Sequence, residues 1–262
     1  MKNIERIGLV FSGGGARGAF QVGAWKALKE LKLDQKVVAV YGTSVGAING
    51  AAFLQDDIEL AVNIWKNLTF EQVFANWDEE HRRVSKKRFY YQWMKRMVRE
   101  GGLDVGPLKA LLRSSLDEDQ IRESILDYGM VVYDLTHRKA KYLRKREIHY
   151  GQLIEYIIAS ATFPVFQPHQ IEATKFIDGG IYDNRPIWFL DDRDSLDLVL
   201  VIDVTMARHL WRTKKSNHQG PTIYIRPSRL LGSPLGFNKE RIRSNMELGY
   251  QNTLDQLYHL DA

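Results

Sequence analysis

The chain has 262 residues, 44% of them hydrophobic and 26% charged, which suits one substantial α/β core and leaves little room for two full domains. With no cysteine, disulfides and thiolate zinc sites are excluded and the redox compartment stays open. The 37 Lys and Arg exceed the 32 Asp and Glu only mildly, so the placement of charge matters more than its sum.

At the N-terminus, Glu5 and Arg6 interrupt the apolar run a signal peptide needs, and no later stretch approaches about 20 uninterrupted apolar residues. The expectation is a cytoplasmic protein without a membrane span. Ile7 to Phe11 reads as a buried strand that runs into Ser12-Gly13-Gly14-Gly15-Ala16-Arg17-Gly18 and then into an amphipathic helix from Ala19 to Leu31. Gly13, Gly15 and Gly18 satisfy Gly-x-Gly-x-x-Gly, which suggests a dinucleotide site and, with it, a nucleotide-binding oxidoreductase as one alternative. Such a unit needs an acidic residue at the end of its second strand, to hold the ribose. Here the second strand, from Val37, ends in Gly42-Thr43-Ser44-Val45-Gly46 and passes into a small-residue helix.

That turn is a nucleophile elbow by pattern. A serine between Gly42 and Gly46 is forced into a strained conformation that lifts its hydroxyl off the sheet beside a helix N-terminus. The earlier glycine loop then has a second use, since main-chain N–H groups at a helix start suit an anionic oxygen and Arg17 adds positive charge. A plain packing turn is the competing explanation for that loop.

Ile58 to Trp65 continues helical. From His81 to Arg99, eight Lys and Arg interleave with Phe89, Tyr90, Tyr91, Trp93 and Met97 in a basic-aromatic helical insert spanning about residues 70–102. This pattern fits peripheral contact with an anionic membrane surface, and equally a helix hairpin with a solvated basic face; no nucleic-acid fold accompanies it. Pro107 opens a short helix from Leu108 to Arg113, and Met130–Thr136 with Ala140–Arg144 form a predicted hairpin. A helix follows from Leu153 to Ala159. Asp178 closes an apolar strand just before Gly179 and Gly180, so its carboxylate projects from a tight turn, as it would in an ordinary Asp-Gly turn. Strands at Leu198–Asp203 and Pro221–Ile225, a polar loop from Thr213 to Gly220 and a closing helix from Lys239 to Leu257 complete the chain. The expected architecture is a mostly parallel central sheet with helices on both faces, forming a single domain over residues 1–262. The seven histidines lack metal-ligand spacing and are read as surface or loop residues, with His169, close to Asp178 in sequence, singled out for attention.

Taken together, the Ser12–Gly18 loop, the Gly42–Gly46 elbow and Asp178-Gly179-Gly180 resemble the patatin-like phospholipases in content and order. Ala159–Pro164, Asp183–Pro186 and Leu248-Gly249-Tyr250 extend the resemblance over nearly the whole chain; the basic insert is its least family-like part. The resemblance implies Ser44 as nucleophile, Asp178 as its partner in a Ser-Asp dyad, and an oxyanion hole built from Gly13, Gly14, Gly15, Arg17 and Gly18. It implies a lipid acyl ester hydrolase that uses neither metal nor organic cofactor. A Ser-His-Asp triad with His209, His218 or His259 fits less well, because that fold needs several strands ahead of its elbow. A non-catalytic lipid-surface or partner-binding module is the remaining alternative.

Overall fold

The computed structural model describes residues 4–75, 101–190, 196–205, 214–218 and 220–258. The expected basic-aromatic helices between residues 81 and 99 lie outside them, as do His81, His209 and His259.

Eight strands form one sheet in the order β5-β6-β3-β2-β1-β7-β8, with β4 paired to β3. The centre is β1, Ile7–Phe11, between β2, Val37–Thr43, and β7, Leu198–Ile202, all parallel. Every residue of β1 and β7 is buried, so these strands are continuous apolar runs with no polar alternation. On one flank β8, Thr222–Ile225, adds in parallel to β7. On the other, β3, Asp127–Asp134, runs parallel to β2 and then turns the sheet antiparallel through β4, Lys139–Arg144, and β6, Thr174–Asp178, which carries the short β5, His169–Ile171, at the edge.

Seven α-helices are found among the described residues: α1, Ala19–Glu30; α2, Val45–Leu54; α3, Ile58–Asn67; α4, Gly106–Ser115; α5, Glu118–Glu123; α6, Leu153–Ser160; and α7, Lys239–Leu257. Helical segments cover the two faces unequally. The larger core joins Leu9, Phe11, Met130 and Leu200 to all seven helices. The opposite face, built on Val10, Tyr41, Val131 and Val201, is closed by a short 3-10 helix, Ile187–Leu190, whose Phe189 stacks on Tyr41 with ring centroids 4.5 Å apart. The hairpin and the closing helix stand where the sequence put them, whereas Pro107 opens a longer helix than expected.

His169 departs from its expected place on the surface. It is buried on β5 opposite Phe176, and its Nε2 lies 2.9 Å from Glu155 Oε2. Burial and the nearby Lys109 lower its pKa, while Glu155 opposes that shift. It is buried because an edge strand turns alternate side chains inward, and position 169 falls on the inward phase.

Candidate active site

Ser44 is the single residue between β2 and α2, with φ 59° and ψ −129°, a conformation that a residue bearing a Cβ holds only when its surroundings impose it. Its surroundings are well defined. The Ser44 amide donates to Ser160 Oγ at 3.0 Å, and that hydroxyl donates onward to the Val131 carbonyl at 2.7 Å. Thr43 Oγ1 donates to the Asp183 carbonyl at 2.9 Å. Directly below, a Cβ on Gly46 would stand 2.3 Å from the Phe11 carbonyl oxygen, so only glycine lets α2 cross the end of β1 this closely. Gly42 is pressed against the backbone of Gly46 in the same way.

Asp178 reaches the serine through register. One edge of β3 pairs with β2 up to Thr43 opposite Val131, and the next residue, Val132, pairs with Asp178 of β6. The other edge of β3 is occupied by β4, so β2 and β6 arrive end to end along a single edge. Consecutive residues of one strand therefore fix the ends that carry Ser44 and Asp178. The Asp178 carboxyl is buried, accepts the Gly180 amide at 2.7 Å and lines the same pocket as Ser44, close enough for the serine to lower its pKa. Desolvation raises its pKa from 3.8 to about 6, against the lowering effects of Ser44 and the Gly180 amide. Gly179 rests on the Val131 carbonyl, continuing the close fit along β3.

The glycine loop is held from both sides. Asn184, a residue to which sequence reasoning gives no role, accepts the Gly13 amide on its carbonyl at 3.1 Å and donates its Nδ2 to the Gly13 carbonyl at 3.3 Å and to Thr205 Oγ1 at 2.9 Å. On the far side, the Ala16 amide donates to the Pro234 carbonyl at 2.7 Å and Arg17 Nε to the Gly232 carbonyl at 2.8 Å. Gly15 has φ +58° and no room for a Cβ beside Pro234, which makes glycine obligatory there. The amides of Gly13, Ala16 and Arg17 are thus engaged, whereas those of Gly14 and Gly15 meet no acceptor among the described residues and line the pocket. Gly18 faces elsewhere, packed against Val45 and Trp65 at the start of α1. Of the five residues expected at an oxyanion hole, Gly14 and Gly15 offer free donors, Gly13 and Arg17 fix the loop at the pocket wall, and Gly18 supports it from behind.

Ser44, Asp178, Gly14 and Gly15 open into a pocket enclosing about 960 Å³, mouth included. Beyond this polar end its walls are apolar, with Ile48 from α2, Trp65 from α3, Leu111 from α4, and Phe166, Leu235 and Phe237 from connecting loops. Sequence reasoning also misses Ser160 and Thr205. Ser160 lies in the noted Ala159–Pro164 run, but its job depends on a contact 116 positions away, which no local pattern reveals.

A strained serine on a strand-helix turn, a buried carboxyl against it and a glycine loop over an apolar pocket define an α/β protein of the nucleophile-elbow class. The chain belongs to the patatin-like phospholipase family, whose model matches residues 9–191. It is 25% identical over 183 residues to an uncharacterized NTE family protein of Mycobacterium tuberculosis, an alignment covering 70% of this chain and 44% of that one. It is 50% identical over 50 residues to lysophospholipase nte1 of Aspergillus terreus, covering 19% of this chain and 3% of the fungal protein. It therefore spans less than half the length of these relatives. In fold it resembles human GIVD cytosolic phospholipase A2, solved in complex with methyl gamma-linolenyl fluorophosphonate, with a TM-score of 0.57 and 15% identity over 98% of this chain and 58% of that one. No helix among the described residues is long and apolar enough to cross a membrane.

Proposed function

We propose that the protein is a serine lipid acyl hydrolase in which Ser44 and Asp178 form the reacting pair and the Gly14 and Gly15 amides stabilise the oxyanion. Ser44 Oγ attacks the carbonyl carbon of a fatty-acyl ester while Asp178 takes the hydroxyl proton. The negative charge formed on the carbonyl oxygen falls between the two free amides. Collapse of the tetrahedral intermediate breaks the ester bond, and the leaving alkoxide takes the proton back from Asp178. Water then repeats the sequence on the acyl-enzyme, releasing the fatty acid and restoring Ser44.

The observation that carries this reading is a strained serine and a buried carboxyl whose pKa it lowers, side by side in the lining at the polar end of an otherwise apolar pocket. An aspartate at its ordinary pKa is a weak base toward a serine hydroxyl. Burial that raises Asp178 to about 6 makes it a better one while leaving it ionised at neutral pH. The apolar walls suit an acyl chain, and the family and the lysophospholipase relative agree with a lipid ester. We also propose that residues 1–262 form one domain that meets its lipid peripherally.

The test is fatty-acid release from a panel of phospholipids, lysophospholipids, glycerides and short-chain esters by the wild type, Ser44→Ala and Asp178→Asn. Labelling with an alkyl fluorophosphonate, followed by peptide mapping, locates the nucleophile. Release by the wild type alone, with the label on Ser44, is the expected result. Full activity in either variant, or a label on another residue, would remove the basis of the proposal.

A further inference from the structure

The connection between β8 and α7 has a composition and a position that the reaction itself does not explain. Together with the first turn of α7 it carries, between residues 226 and 243, Arg226, Arg229, Lys239, Arg241 and Arg243 against one acidic residue, Glu240. At its turn Leu230 is 77% exposed, although it could have been buried with its neighbour Leu231, which is 1% exposed. An exposed leucine beside Arg226 and Arg229 suits a boundary between phosphate head groups and acyl chains.

The position of this segment is equally specific. Pro234, Leu235 and Phe237 wall the active-site pocket, and the Gly232 and Pro234 carbonyls receive Arg17 and Ala16 of the glycine loop. Leu230, Arg226 and Arg229 line a second, open and polar depression that shares Thr205 with the active-site pocket. Arg241 lies over Gly232 and Gly236, beside the same wall. Arg226 is anchored by Asp203 at 3.3 Å and Arg229 by Ser244 Oγ at 2.6 Å, so these guanidinium groups are held in place at the rim. Lys239, Arg241 and Arg243 form no ion pair with a described residue and are exposed.

We infer that residues 226–243 are the surface by which this protein docks on anionic phospholipid, with Leu230 entering the acyl boundary and the arginines meeting head-group phosphates. The surface deepens the proposed lipid hydrolysis and rests on it for its purpose, since docking here presents the pocket rim to the membrane. It assigns the contact to the β8-α7 connection and requires nothing of the basic segment at residues 81–99.

The test separates docking from turnover. In the Ser44→Ala background, sedimentation is measured with vesicles of phosphatidylcholine alone and of phosphatidylcholine with about one third phosphatidylglycerol. Binding to the anionic vesicles, weakened by salt, is expected. Leu230→Ser with Arg243→Gln should lower that affinity roughly tenfold, and Leu230→Phe should preserve it. With Ser44 intact, the double variant should hydrolyse a soluble short-chain ester within about twofold of the parent and melt at the same temperature. Failure of the parent to bind anionic vesicles, equal binding to both compositions, or undiminished binding by the double variant would overturn the assignment. Loss of ester hydrolysis in every protein would instead sink the proposed activity and leave the binding result readable.

Discussion

Replacing Asp178 by asparagine should abolish acyl release and make the protein more stable at neutral pH. The amide side chain still accepts the Gly180 amide on its oxygen and offers its Nδ2 to Ser44, so the hydrogen bonds survive while the buried charge is lost. The carboxyl titrates at about 6 in the folded protein against 3.8 as the ordinary value. Between those pH values the folded state keeps a proton that the unfolded state has released, so stability falls as pH rises through the window. Above it, the full cost is about 3 kcal/mol, at 1.36 kcal/mol per tenfold. The variant escapes that cost and should melt roughly 6–12 °C higher near pH 8. Near pH 4.5 the advantage should shrink to about 1 kcal/mol. Urea and thermal melts at both pH values, beside ester hydrolysis, decide the matter. No gain near pH 8, or a gain that ignores pH, would refute the idea that Asp178 is held ionised against its surroundings for the sake of chemistry.

Other outcomes follow from the same contacts. In the wild type, kcat/KM should fall about tenfold per pH unit below pH 6, because a protonated Asp178 cannot accept the Ser44 proton; a flat pH–rate profile from 5 to 8 would count against the dyad. Ser160→Ala leaves the buried Ser44 amide and Val131 carbonyl without their shared partner, and should cost about 2–3 kcal/mol by chemical denaturation. Asn184→Ala keeps the main-chain bond from the Gly13 amide but removes the Nδ2 bonds to the Gly13 carbonyl and Thr205, and should lower kcat roughly tenfold with a smaller change in KM, a split read from steady-state kinetics. Gly46→Ala drives a methyl into the Phe11 carbonyl and should cost about 3 kcal/mol or more, visible as loss of soluble protein or a collapsed melting curve.

The elbow is legible in the sequence because its requirements are local: a β-branched strand, glycines at two fixed places, and a small-residue helix behind them. The Asp-Gly-Gly turn is legible as a turn, and its partnership with Ser44 comes only through family resemblance. What no local pattern conveys is that β6 adds antiparallel to the stretch of β3 edge that β2 leaves vacant, since pairing register depends on residues far apart in sequence. The same holds for Asn184 and Ser160, ordinary polar residues whose importance comes from the distant amides they meet. His169 misleads because a histidine beside Pro168 reads as a surface or loop residue, whereas the β5-β6 hairpin buries it opposite Phe176 with Glu155 as its partner. Arg17 reads locally as positive charge beside the glycine loop, and its tether to Gly232 lies 215 positions downstream.

Because Val131 and Val132 index the strand ends that carry Ser44 and Asp178 as neighbouring notches on one ruler, the spacing of this proposed pair does not depend on the length of chain that joins them. Segments can be spliced in, trimmed or exchanged between positions 54 and 127 without resetting that gap, provided β3 keeps its count. A single residue gained or lost within β3 itself would displace one partner by a full step, about 3.3 Å, and turn alternate side chains to the wrong face.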